Sequence, residues 1–154
     1  MPGFSLTSHL KVAPDALWRA CSTLDGVNRE FAPLLRMTCP KAFRGRSLAE
    51  APLGTRAFRS WLLLFGVLPV DYDDLCLVKV VDGEGFSERS SMLSMRQWHH
   101  DRWIHATPQG CQITDTVAFE PRVPGTGLLL LQISNAMFRF RHWKLRRQFG
   151  RIVD

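Results

Sequence analysis

The sequence predicts an α+β fold: a curved antiparallel β-sheet wrapped around one long C-terminal α-helix, with two short helices after the first strand. Three observations point there. Residues 36–122 are rich in β-branched, aromatic and aliphatic side chains and are cut at short intervals by the turn signals APLG, VLPVD, DGEG and TPQG, which favours an antiparallel meander. Beyond Gly127 the chain runs to Phe149 without Pro or another Gly, as one long helix would. Helix punctuation is otherwise confined to the early segment APDALWRACSTLDGVNREFAPLL. A chain of 154 residues with 45% hydrophobic content can bury one sizeable core, so one domain covering residues 1–154 is expected.

The elements follow in order. FSLTSHLKV, residues 4–12, alternates apolar and polar side chains as a half-buried strand does. Pro14 and Asp15 suit a helix start, Leu17, Cys21 and Leu24 recur at helical spacing, and Gly26 and Pro33 interrupt, which implies one short helix followed by another. A weak strand is expected at residues 34–38 and firm ones at 55–65, 72–81, 86–94, 96–106 and 112–121. Pro121, Pro124 and Gly125 end the sheet, and Thr126 is the expected N-cap of a helix over residues 127–149. The only element long enough to cover the sheet is this helix, and a sheet curled around it without filling the gap leaves a cavity.

The net charge of +6 is local, because Arg139, Arg141, Lys144, Arg146, Arg147 and Arg151 carry as much positive charge as the whole excess. Cations in the last turns of a helix complement its dipole, so their placement has a structural reason. Cys21, Cys39, Cys76 and Cys111 form no Cys-x-x-Cys pair, which argues against a zinc ribbon or a disulfide framework and for reduced thiols in the cytoplasm. The start lacks the charged and apolar regions of a signal peptide, and the longest apolar runs fall short of the roughly 20 residues a membrane-spanning helix needs.

This order, with the local matches FGVLPVDYDD, GFSERS, WHHDRWIHATPQGCQITDTVAFEPR and MFRFRHWKL, resembles the START-like (SRPBCC) helix-grip superfamily. That superfamily includes the birch-pollen-allergen fold, polyketide cyclases and lipid-transfer proteins. The resemblance implies a deep, mainly apolar pocket between the sheet and the last helix, open at one end, that takes a small hydrophobic or amphipathic ligand. It implies no shared catalytic residues and no cofactor, since the superfamily hosts many functions on one scaffold.

Alternation supplies the candidate pocket residues. In residues 97–105, Trp98, His100, Arg102 and Ile104 share one strand face, and Asp115, Val117 and Phe119 share one face of the next strand. The Ile and Phe positions mark these faces as inward. His100, Arg102 and Asp115 then either form a structural polar group or orient a ligand in an apolar pocket. Trp61, Leu63 and Phe65 alternate on one strand, and Ser90 and Met92 on another, as candidate wall residues. Ser134, Met137 and Phe138 belong to the apolar stripe of the last helix, where Ser134 can reach a ligand's polar end.

Two further functions use the same parts. A cyclase or dehydratase would shuttle a proton in the cavity, with His100 as the leading acid-base candidate. A lipid carrier would touch anionic membrane through Arg139, Arg141, Lys144, Arg146 and Arg147. Nucleic acid is not expected as a partner, because no recognition signature accompanies the basic run. The five histidines have no ligand-like spacing to carboxylates, and no Ser-His-Asp set or nucleophile elbow is visible, so neither a metal nor a triad is expected.

Overall fold

The first strand, β1 (Gly3–Leu10), buries Ser8 and Leu10 on its inner face, as its alternation predicts. The chain is described here by a computed structural model over residues 1–152; the last two residues of the expected 1–154 domain lie outside the described residues. Helix α1 (Pro14–Cys21) starts on a proline that needs no intrahelical partner and buries Leu17, Trp18 and Cys21. Helix α2 (Leu24–Phe31) is capped by Thr23, whose hydroxyl accepts from Gly26 N at 3.1 Å. The break between the helices therefore falls at Ser22 and Thr23, and not at Gly26 as expected. Gly26 lies inside α2, where only glycine fits, because a Cβ there would collide with the carbonyl oxygen of Ala20.

The sheet then builds outward and returns. Strand β2 (Leu35–Met37) is followed by two 3-10 turns, Lys41–Phe43 and Leu48–Glu50, and by β3 (Arg56–Leu64), β4 (Leu68–Val81), β5 (Gly85–Met92), β6 (Met95–Thr107) and β7 (Gly110–Pro121). The seven strands are ordered β1-β7-β6-β5-β4-β3-β2, with every neighbouring pair antiparallel. VLPVD is not a turn. The chain reverses earlier, where Phe65 and Gly66 take φ of 53° and 79° and Val67 N donates to Leu64 O at 3.1 Å. Pro69 then enters β4 before β5 begins to pair at Asp73, so its missing N–H leaves no ladder bond unmade on that side.

Helix α3 (Gly127–Phe149) spans the residues expected of it. Thr126 does not cap it: its hydroxyl donates to Val123 O at 2.7 Å, which turns it away from the helix N–H groups. At the other end Gly150 takes φ of 86°, and Lys11 N donates to Gly150 O at 3.0 Å, tying the end of α3 back to the start of the fold. Among the described residues no helix is long and apolar enough to cross a membrane.

The buried apolar residues form two clusters. One gathers Leu10, Leu17, Leu77, Phe86, Ile104, Ile113 and Leu145; the other gathers Met92, Trp98, Val117, Phe119 and Phe138. Along β6 and β7 the residues separating them are His100, Arg102 and Asp115, so charge sits at the centre of the sheet's inner face.

Candidate functional site

Alternation on β6 and β7 places Trp98, His100, Arg102 and Ile104 on the inner face opposite Ile113, Asp115, Val117 and Phe119. Arg102 and Asp115 are direct cross-strand partners and are 1% and 0% exposed. Charges so deep survive only when paired and hydrogen-bonded. Asp115 Oδ1 accepts from Arg102 Nε and His100 Nε2, each at 2.7 Å; Oδ2 accepts from Arg102 Nη2 and His142 Nε2, each at 2.8 Å. Because His142 gives its Nε2 proton to a carboxylate, its Nδ1 can accept from the Ser8 hydroxyl at 2.7 Å, and Arg146 Nη1 donates to that hydroxyl oxygen at 3.0 Å.

A second carboxylate completes the group. Glu30, at the end of α2, accepts from Arg102 Nη1 at 2.9 Å and from Arg141 Nε at 3.1 Å. Two cations, Arg102 and Arg141, thus face two anions, Glu30 and Asp115, joining α2, β6, β7 and α3. Burial opposes ionisation of Asp115, but the Arg102 guanidinium and the hydrogen bonds from the histidines outweigh it and hold the carboxyl well below its ordinary value. Burial likewise opposes the His100 imidazolium, yet the hydrogen bond to Asp115 and the Glu88 carboxylate 3.9 Å from Nδ1 raise its pKa.

Between this group, the sheet and α3 lie two adjoining spaces. The inner one has a volume of about 90 Å³; its walls include Leu75, Leu77 and Phe86, and its polar lining is Asp73, Glu88, His100 and Arg141. The outer one, about 320 Å³, is lined by Leu62, Leu64, Met95, Leu130, Met137 and their neighbours. Phe31, Leu62, Met92, Trp98 and Phe138 line both, so they form the partition. At the outer margin Val70 and Ile133 are about half exposed.

The expected wall residues divide accordingly. Met92, Trp98 and Phe138 face both spaces, His100 faces the inner one, and Ser134 and Met137 face the outer one. Arg102, Ile104, Asp115, Val117 and Phe119 are buried behind the wall, where they hold it in place. Ser90 is buried too, its hydroxyl accepting from Cys76 N at 3.0 Å. The choice of Trp61, Leu63 and Phe65 has the wrong parity. Leu62 and Leu64 face the cavity, Trp61 is 41% exposed, and Phe65 leaves the strand for the turn and is 65% exposed. The basic run is also partly spent on the fold: Arg141 is buried on Glu30, Lys144 Nζ donates to Ala32 O at 2.9 Å, and Arg146 is bonded to Ser8. Arg141 is therefore not available to a membrane, whereas Arg139 and Arg147 are exposed.

Alternation also contained a pair that the sequence reading passed over. Asp73 shares the inner face of β4 with Leu75 and Leu77, and Glu88 shares that of β5 with Phe86 and Met92. Both residues are 5% exposed, and Asp73 Oδ1 and Glu88 Oε2 have no hydrogen-bond partner among the described residues. Burial, and then the neighbouring Glu88 charge, push the Asp73 carboxyl well above its ordinary value of 3.8. A raised carboxyl pKa means that the folded state binds a proton the unfolded state releases, so stability falls as pH rises from 3.8 through the folded value. Asp73→Asn, which carries no such proton, is expected to flatten that decline. Urea unfolding from about pH 5 to pH 9 measures it, and an unchanged slope would refute the assignment.

Known proteins match at the level of family and fold. A family model described as Domain of unknown function (DUF8410) matches residues 8–149. No curated protein matches the sequence. Among solved structures, CV1439 from Chromobacterium violaceum is 11% identical with a TM-score of 0.71, covering 99% of this chain and 100% of that one. Ara h 8.0201 is 12% identical with a TM-score of 0.60, covering 94% of this chain and 97% of that one. DynU16, from the dynemicin biosynthetic locus, is 13% identical with a TM-score of 0.57 over 97% of this chain and 49% of that one. With the strand order and the long terminal helix, these likenesses show the helix-grip fold.

Proposed function

The chain belongs to the family described as Domain of unknown function (DUF8410), and we propose that it acts as one ligand-binding domain, taking a small hydrophobic or amphipathic molecule between the curved sheet and α3. The observation that carries this reading is the pair of adjoining, mainly apolar spaces with polar groups gathered at the inner one. A volume of about 320 Å³ for the outer space alone is at the small end of the roughly 300–1,000 Å³ of ligand sites. The ligand is accordingly slender: a single chain or one small ring system. Its apolar part lies against Leu62, Met92, Trp98 and Phe138, and its polar end is directed inward.

Burial of apolar ligand surface drives such binding. Each methylene contributes up to about 0.8 kcal/mol before ordering costs, or up to about fourfold in affinity. Calorimetric titration with straight-chain alcohols tests this. Affinity should climb from butanol to octanol with a negative heat-capacity change, the robust marker of apolar burial. No binding by octanol, and no rise in melting temperature with it, would contradict the reading.

A further inference from the structure

Asp73 and Glu88 set the chemistry of the inner chamber. Both carboxyls line the chamber, the Glu88 charge lies close enough to raise the Asp73 carboxyl, and one oxygen of each has no hydrogen-bond partner among the described residues. Leaving such acceptors dry is costly, more so when they are charged, so something must supply donors. The other charges facing them do not. Arg141, on α3, is held by Glu30 of α2; His100, on β6, keeps Nε2 on Asp115 and brings Nδ1 only to 3.9 Å from Glu88 Oε1. Ser90 of β5 accepts from Cys76 N and turns its hydroxyl toward Asp73, whose pKa it lowers, but Asp73 Oδ1 still has no partner among the described residues; Asp71, further out on β4, is another acid.

Resting on the cavity-binding reading above, we propose that the inner chamber recognises a hydrogen-bond-donating, basic head group, a protonated primary amine, which the Asp73 and Glu88 carboxylates hold while its hydrocarbon part fills the outer space. The unliganded pair meets its need with a shared proton, in keeping with the raised Asp73 value. An ammonium group brings three donors and a full charge, so it displaces that proton and bonds both carboxylates. The amine enters as R–NH3⁺, the proton shared by Asp73 and Glu88 leaves to solvent, and no bond other than that O–H is broken. Arg141 does not oppose the incoming cation, because Glu30 neutralises it. A carboxylate head meets two acids and is rejected. Walls of Leu75, Leu77 and Phe86 leave the small chamber room for a compact head only.

Isothermal titration of the full chain with octylamine, octanol and octanoate tests the assignment, since the three share a chain and differ in the head. Octylamine should bind at least about tenfold more tightly than octanol, the worth of a charge-assisted bond, and octanoate should bind weakest. Octylamine titrations in buffers of different ionisation enthalpy should reveal about one proton released per complex. In D73N/E88Q the ratio of amine to alcohol affinity should fall to about one. Octanol binding without a preference for octylamine would overturn the head-group assignment and keep the cavity; so would a preference without proton release from the unsubstituted protein, or one that persists in D73N/E88Q. If none of the three binds, the cavity reading falls and the assignment falls with it.

Discussion

Arg102→Met is expected to lower the unfolding free energy by about 3–5 kcal/mol, the usual cost of removing one member of a buried charge group. Arg102 is the hub that both Asp115 and Glu30 depend on, and at 1% exposure no water can replace it. Met keeps most of the side chain's volume, so the loss reports stranded carboxylates and not a cavity. Chemical denaturation gives the number. A double-mutant cycle with Asp115→Leu separates the two causes: the double variant should be less destabilised than the sum of the single ones, because neither charge is then left alone. Full additivity would mean that the pair is not coupled as its 2.7 and 2.8 Å contacts require.

Phe138→Ala should cost a similar amount, about 3–5 kcal/mol, for the lost burial and the space left behind. Its ring meets Phe4 edge-on at 5.6 Å, His100 edge-on at 4.9 Å and Trp98 at 6.1 Å, and the Arg141 guanidinium lies 4.9 Å from its centre. The same truncation opens the partition between the inner and outer spaces. Bulkier ligands should therefore gain affinity relative to octanol in this variant even as the protein loses stability. Phe65→Ala, at the exposed hairpin turn, is the comparison and should stay within about 0.5 kcal/mol. Equal effects at the two positions would contradict the placement of the core.

How far the site was legible depended on how well each strand declared its faces. On β6 and β7 the positions of Ile104, Ile113 and Phe119 leave no ambiguity, so His100, Arg102 and Asp115 were placed inward from sequence alone. In WLLLF every residue is apolar, so alternation cannot choose between faces, and a register shift between Leu62 and Leu63 adds to the uncertainty of parity. Asp73 hid within the acidic run DYDD, which reads as surface although it shares parity with Leu75 and Leu77. Arg141 hid in the basic run, although Ser134, Phe138, Arg141, His142 and Leu145 are one buried helical stripe. In both places charge outweighed periodicity in the reading, while in the protein a partner or a shared proton makes the burial bearable. Glu30 carried no local signal, since its role arises only when α2 packs against α3.

The central claim, that a ligand enters between sheet and helix, is tested most directly by following the five methionine methyl groups by NMR during titration with octanol. Met37 and Met92 line the inner space, Met92, Met95 and Met137 the outer one, and Met1, 63% exposed, lies outside both. The account predicts saturable shifts at Met92, Met95 and Met137 with Met1 unmoved. Methyl signals that stay in place at saturating octanol, or that move only at Met1, would contradict it.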